Sequence, residues 1–458
     1  MGLDNAKPQK TKDLEVPRAD WGEASIAKRT AEAESAPHDN ERPGTSELME
    51  AVVERRNLQA ALKRVKQNKG SPGIDGMTVD ELPDHLRVYW PSLREQLLAG
   101  TYQPQPVRRQ TIPKSGGGER ELGIPTVLDR FIQQALLQVL QPRFDPTFSE
   151  HSHGFRPRRS AHDAVREAQR HLQQGRSWVV DVDLEKFFDR VNHDVLMGRL
   201  AKRIEDRRML GLIRRYLNAG VMANGVVMDR HEGTPQGGPL SPLLANALLD
   251  EVDKELEKRG HAFVRYADDC NVYVRSKRAG ERVMQALRRL YARLRLRVNE
   301  SKSAVAPVQD RKFLGYTFWV SPKGEVRRRI ARKALDAMKD RVRRLTSRVR
   351  GRSLAQACQD LRAYLLGWKA YFRLEELSGI FRELDAWIRH RLRALQLKHW
   401  RRGPTIFREL RARGLSPHDA RKVAGNARSW WLNSSKKPIN IALPNKLFDA
   451  LGLPRLAA

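Results

Sequence analysis

Cysteine is nearly absent. The 458 residues contain two, Cys270 and Cys358, far apart and with no Cys-x-x-Cys spacing. That excludes a disulfide framework and a cysteine-rich zinc site, and it suits a reducing cytoplasm. Long apolar runs are also missing: no stretch approaches 18 uncharged apolar residues and the amino terminus has no apolar core, so neither export nor membrane spanning is expected. No Gly-Lys-Ser or Gly-Lys-Thr closes a glycine-rich loop at Walker spacing, which removes an ATPase reading. Acids are in deficit. Lys and Arg total 86 against 54 Asp and Glu, giving a formal net charge of +32 and a pI of about 10.6, an imbalance that calls for a polyanionic partner.

What remains is a foldable chain. Hydrophobic residues make up 40% and charged residues 31%, and the length allows about three domains. Residues 1–45 are polar, with Pro8, Pro17, Pro37 and Pro43, and are expected to be disordered. From Ser46, a plausible cap, Leu48, Ala51, Val52, Arg55, Leu58, Ala61 and Leu62 recur at helical spacing. Helix, strand and turn signals alternate through residues 46–322, an α+β unit. Residues 323–352 carry 13 Lys or Arg against three acids on a frame of Ile330, Leu335, Met338, Val342, Leu345 and Val349. Basic helices continue through Arg389, Arg391 and Arg393 to residue 402, and their aromatics Trp368, Tyr371, Phe372, Trp387 and Trp400 are read as core. Residues 403–458 read as a small, loop-rich third unit.

Two acidic segments carry the chemistry. In Phe263-Val-Arg-Tyr-Ala-Asp-Asp-Cys-Asn-Val-Tyr-Val274 two apolar runs meet at Asp268 and Asp269, a β-hairpin with paired carboxylates at its tip. Like charges so placed need a cation, and Mg²⁺ prefers hard oxygen ligands and substrate phosphates. A second apolar strand, from Trp178, ends in Asp181 and Asp183 and is followed by Phe187 and Phe188. A carboxylate on that strand beside the hairpin pair would hold two metals in the arrangement of nucleotidyl transfer. Spacing does not choose between Asp181 and Asp183, which share a face.

The tetrapeptide Tyr266-Ala267-Asp268-Asp269, with the ordered segments around it, resembles bacterial group II intron reverse transcriptases and maturases over residues 46–458. The resemblance implies a right-hand polymerase of fingers and palm (46–322), a helical thumb or maturase region (323–402) and a small nucleic-acid-binding tail (403–458). It prefers Asp183 as the third carboxylate and implies two Mg²⁺ ions. It casts Phe187 or Phe188 as a steric gate against ribose.

Thr111-Ile-Pro-Lys-Ser-Gly-Gly-Gly-Glu-Arg120 becomes the fingers hairpin, with Lys114 and Arg120 on the incoming triphosphate. Gln236, in Gly233-Thr-Pro-Gln-Gly-Gly-Pro-Leu-Ser-Pro242, is placed near the nascent base pair, with Ser241 capping the next helix. Lys302 is expected near the triphosphate. Arg156 and Arg158, in His153-Gly-Phe-Arg-Pro-Arg158, are expected to face nucleic acid, as are Arg343, Arg344, Lys369 and Arg373 in the thumb. His151 and His153 have no partner ligands at zinc spacing and are not read as a metal site. The implied partners are intron RNA, RNA template with DNA primer, target DNA and dNTPs. Neither the histidine ligands nor the paired cysteines of the nuclease that many relatives carry are found, so no endonuclease activity is expected. Two rival readings share these residues: an RNA-binding splicing factor whose polymerase has lapsed, and a domesticated reverse transcriptase in defence.

Overall fold

The computed structural model describes residues 47–113, 119–223, 226–228, 232–234, 237–321, 323–348, 351–377 and 379–457. The amino-terminal segment expected to be disordered lies outside them. The first expected helix is two, α1 (Leu48–Val52) and α2 (Arg55–Asn68), divided at Val53 and Glu54. After α3 (Leu82–Ala99), strands β1 (Val107–Pro113) and β2 (Glu119–Ile124) pair antiparallel from Arg108↔Ile124 to Pro113↔Glu119, as the sequence suggests. Helices α4 (Val127–Phe144) and α5 (Ala161–Gln173) follow. Ser160 caps α5 by accepting from the Asp163 N–H, and the Asp163 carboxylate reciprocates.

The central sheet is built from β3 (Trp178–Val182), β6 (Ala262–Tyr266), β7 (Asp269–Val274) and β8 (Ala304–Pro307), in the antiparallel order β6-β7-β3-β8. Between β3 and β6 come α6 (His193–Leu200), α7 (Arg207–Asn218), the short strands β4 (Val221–Ala223) and β5 (Val226–Met228), and α8 (Ser241–Lys258). β4 and β5 extend the β1–β2 hairpin into a second four-stranded sheet. Ser241 is the first residue of α8 rather than its cap, because Leu240 takes the cap position and makes no side-chain bond there.

Alternation along β3 divides the apolar residues between two cores. Val180 and Val182 join Phe263, Val272 and residues of α8 and of α9 (Lys277–Arg293) on one face. Val179 joins Val264, Tyr273 and the apolar side of α5 on the other. That second core runs on through the carboxy-terminal half of the chain.

Residues 316–330 correct the helical reading of the basic segment: β9 (Tyr316–Val320) and β10 (Val326–Ile330) form an antiparallel hairpin straddling the expected division at residue 322, and Ile330 belongs to a strand. Helices α10 (Arg332–Leu345), α11 (Leu354–Tyr371) and α12 (Gly379–Trp400) then form the basic helical region. Trp368, Phe372 and Trp400 are buried there, as expected of core aromatics. Residues 403–457 are helical rather than loop-rich. They form α13 (Gly403–Ala412), α14 (Pro417–Ala424), α15 (Trp430–Ser434), α16 (Lys437–Ala442) and α17 (Asn445–Ala450), and Ile406, Ile439 and Phe448 join the second core. Among the described residues, no helix is long and apolar enough to cross a membrane.

Candidate nucleotidyl-transfer site

Strand register brings the acids to one end of the central sheet. Val182 is the last β3 residue paired with β7, opposite Cys270. One step further along this register sets Asp183 across from Asp269, on the face that also carries Asp181 and Asn271. Tyr266 pairs with Asp269, so Ala267 and Asp268 form a two-residue turn. Ala267 has φ +58°, whereas Asp268 is not among the residues with positive φ. An alanine in that region is strained by about 1–3 kcal/mol, so its surroundings must hold it.

The turn is held by a buried polar frame that sequence reasoning missed. Arg265, 0% exposed, donates from Nη1 to the Ala267 carbonyl at 2.8 Å and to Asn246 Oδ1 at 2.9 Å. Its Nη2 and Nε donate to the equally buried Asp253 at 2.6–3.0 Å. Asn246 in turn donates to the Gly154 carbonyl at 2.9 Å. Gly154 is required here by closeness: a Cβ on it would lie 2.1 Å from the Ala267 nitrogen. A charged residue inside an otherwise apolar strand, as Arg265 is, was the available signal.

Asp183 is fixed through its backbone: its N–H donates to Ser303 Oγ at 3.0 Å, and its carbonyl accepts from the Asn299 N–H at 2.8 Å. Its carboxylate lies 3.7 Å from Lys302 Nζ, so the expected lysine stands beside the acid. Asp181 takes the other course. It accepts from Arg311 Nε at 2.8 Å; burial pushes its carboxyl above the usual range, against the pull of Arg311. Asp181 is thus held by Arg311 with its side chain 19% exposed, whereas Asp183, just past the strand end, is 34% exposed.

Among the described residues, Asp183, Asp268 and Asp269 do not bring three ligand atoms within 4.8 Å of one another. Three adjacent carboxylates repel, and the Asp183 side chain turns towards Lys302. The donor chemistry fits a hard divalent cation nonetheless: every ligand is a carboxylate oxygen, Asp269 is exposed and Asp183 is about one-third exposed.

The remaining expected residues divide. Phe187 is 3% exposed and lies in the first core, while Phe188 is half-buried, with its ring 5.1 Å from that of Phe187. Of the pair, Phe188 is the more exposed, and its ring also lies 6.5 Å from that of Phe155. Lys114 and Gln236 lie outside the described residues; the Arg120 backbone pairs with Ile112 in the β1–β2 hairpin. Arg156 is a correction. It is 3% exposed and donates to Asp145 Oδ1 and to the Asp145, Ser149 and Ser152 carbonyls, so it ties a loop together and does not face nucleic acid. Arg158 is exposed, with φ +60°.

In the basic helices Arg343, Arg344 and Arg373 are exposed, and Arg343 pairs with Asp340. Lys369 donates from Nζ to the Arg455 carbonyl at 2.9 Å, so its ammonium holds the carboxy-terminal segment. Arg389 and Arg393, read from sequence as part of the run of basic helices, are buried. The first pairs with Asp385 and Asp449, and the second donates to the Leu443 carbonyl and Asn445.

A sheet carrying an Asp at a strand end beside a Tyr-Ala-Asp-Asp turn, flanked by a β-hairpin ahead and basic helices behind, defines a template-directed polymerase of the reverse transcriptase class. Residues 112–318 match the family model described as reverse transcriptase (RNA-dependent DNA polymerase), and residues 335–414 match that of the group II intron, maturase-specific domain. The chain is 35% identical to protein YkfC of Escherichia coli over 57% of its own length and 80% of that protein. It is 40% identical to the group II intron-encoded protein LtrA of Lactococcus lactis over 42% of its length, spanning 32% of LtrA. A chain of the partial Cas6-RT-Cas1–Cas2 complex is 25% identical over 54% of this chain and 42% of that one, with a TM-score of 0.35. The chain therefore belongs to the group II intron-encoded reverse transcriptase and maturase family, whose activities are RNA-directed DNA polymerisation and assistance to intron splicing and whose polymerases work with divalent metal ions.

Proposed function

We propose that this chain copies RNA into DNA at Asp183, Asp268 and Asp269 with two Mg²⁺ ions, and that it binds a parent intron RNA through its basic helices. What supports the reading is the β3–β7 register, whose last pair, Val182 opposite Cys270, leaves Asp183 and Asp269 as the next residues at the Tyr266-Ala-Asp-Asp end of the sheet. When bound, the ions supply Lewis-acid activation of the primer 3′ oxygen and charge neutralisation at the leaving pyrophosphate. The three carboxylates hold them. Lys302, beside Asp183, contacts the triphosphate, and Lys114 and Arg120 add phosphate contacts. Gln236 contacts the nascent base pair, and Phe188 packs against the sugar and disfavours a ribose 2′-hydroxyl.

On this reading Arg158, Arg343, Arg344 and Arg373 contact phosphates of the template–primer duplex or of intron RNA, as shape-reading basic residues do. The substrates are dNTPs on a DNA-primed RNA template, the target is DNA, and the place of action is the bacterial cytoplasm, in a ribonucleoprotein at the nucleoid. A cluster of solvent-facing acids beside a lysine has no use in a purely RNA-binding protein, which favours an active polymerase over a lapsed one.

The test is primer extension on an RNA template with Mg²⁺. Asp268→Asn should reduce extension by about 10²–10³-fold, the scale of losing one element of transition-state charge stabilisation, while leaving RNA affinity within about twofold. Extension at the parent rate by that variant would refute the assignment.

A further inference from the structure

Behind the Tyr266-Ala-Asp-Asp hairpin lies a second cluster of ligating side chains, which the polymerase does not use. His151, Glu167 and His171 bring one ring nitrogen from each histidine and a Glu167 carboxylate oxygen within 4.8 Å of one another; no other trio among the described residues does so. Glu167 and His171 project from one side of α5, four residues apart, and His151 comes from the segment that precedes it. We propose that these three side chains form a binding site for a transition-metal ion of the Zn²⁺ type, with the fourth position towards solvent.

Hydrogen bonding alone does not account for the cluster. Glu167 Oε2 accepts from His153 Nε2 at 2.5 Å and Oε1 accepts from His151 Nδ1, which leaves His171 Nε2 at 3.7 Å from Oε1, beyond hydrogen-bond distance. His171 is about nine-tenths buried, yet neither of its ring nitrogens has a hydrogen-bond partner. An imidazole buried with both nitrogens unsatisfied is costly unless one of them serves as a ligand.

Two imidazoles and one carboxylate are a donor set suited to Zn²⁺ and poorly suited to Mg²⁺ or Ca²⁺. His153 takes the supporting place, its N–H fixing the carboxylate from the far side. Entry is available past His151, whose side chain is 34% exposed.

The position suggests what an ion does there. The His151 carbonyl accepts from the Arg265 N–H at 2.9 Å, and the His153 N–H donates to the Arg265 carbonyl at 2.8 Å, so this segment runs along the outer edge of β6. An ion joining it to α5 clamps the strand that leads directly into the acidic turn. The role is structural, separate from the aspartates and their hard cations.

The test uses the full chain. Protein produced with added zinc and freed of loosely held metal should retain one zinc per chain by elemental analysis, and His171→Ala and Glu167→Gln should each lose it. His418→Ala, an exposed histidine on α14, should keep it. Zinc-edge X-ray absorption of the parent protein should show imidazole scattering, and this arm stands even if the variants fail to fold. Absence of bound zinc in the parent, retention by His171→Ala, or an all-oxygen ligand shell, as zinc in the polymerase cleft would give, overturns the proposal.

Discussion

Replacing Arg265 by Met removes a guanidinium that makes five hydrogen-bond contacts inside the protein. Three go to Asp253, itself 0% exposed, so the substitution strands a carboxylate in the core; breaking a buried pair from one side costs about 3–5 kcal/mol. Asn246 Oδ1 and the Ala267 carbonyl lose a donor as well, each worth about 1–3 kcal/mol if left unsatisfied. These losses overlap, and we expect about 5 kcal/mol in total, a large part of the roughly 5–15 kcal/mol that holds a domain. Pairing the change with Asp253→Leu removes the stranded charge and should recover at least about 2 kcal/mol. It does not restore the bond to the Ala267 carbonyl. Urea denaturation followed by circular dichroism, run beside primer extension, separates the two effects: the double variant should be folded and still about 10²-fold slow, the cost of an ångström-scale misplacement of the acidic turn. An Arg265→Met protein within about 1 kcal/mol of the parent, or a double variant with full extension rate, would refute the reasoning.

The two phenylalanines should separate cleanly. Phe187→Ala opens a cavity in the first core and should cost about 3–5 kcal/mol by denaturant titration, whereas Phe188→Ala should cost less and raise ribonucleotide incorporation; equal stability losses with unchanged sugar selectivity would reject the division. Asp206 caps α7, accepts from the Met49 and Arg208 N–H groups and pairs with the Arg208 side chain. Burial pushes its carboxyl up, but these bonds outweigh burial and hold it below its ordinary value of 3.8. Because the folded-state value is the lower one, the stabilisation is complete above the ordinary value and is lost as pH falls through the folded one. Asp206→Asn should therefore be about 1–2 kcal/mol less stable at pH 7, a gap that closes towards pH 3. A gap that is constant with pH would show that the charge contributes nothing.

Much of the site was legible because short-range pattern and register coincide. Apolar alternation on either side of Asp268 and Asp269 dictates a hairpin, and the strand from Trp178 pairs beside it, between β7 and β8. The misreadings have a common physical origin: a sequence shows that a residue is basic but not what it meets. Arg156 was expected to face nucleic acid and Arg389 and Arg393 were counted with the basic helices, yet each is buried on carbonyls or carboxylates of other segments, Asp145, Asp449 and Leu443 respectively. Arg265 escaped notice for the converse reason, since its partner Asp253 lies on α8 and only the folded chain joins them. Val326–Ile330 misled because Ile330 fits a helical frame as readily as a strand end, and only its pairing with Tyr316 decides. The histidine cluster was invisible while His151 and His153 were considered without Glu167 and His171, which a helix places one turn apart.

The two faces of the central sheet answer to different parts of the gene. Val180 and Val182 are roofed by helices encoded around them, whereas Val179, Val264 and Tyr273 belong, with α5, to a core that continues into side chains from beyond residue 330, as far as Leu456. Copying and RNA handling are thus housed in one mechanical body, and a gene cut between them would leave the catalytic half with an oily flank exposed to water. Selection on either task acts on the same wall, which gives a physical reason for the two to be inherited together.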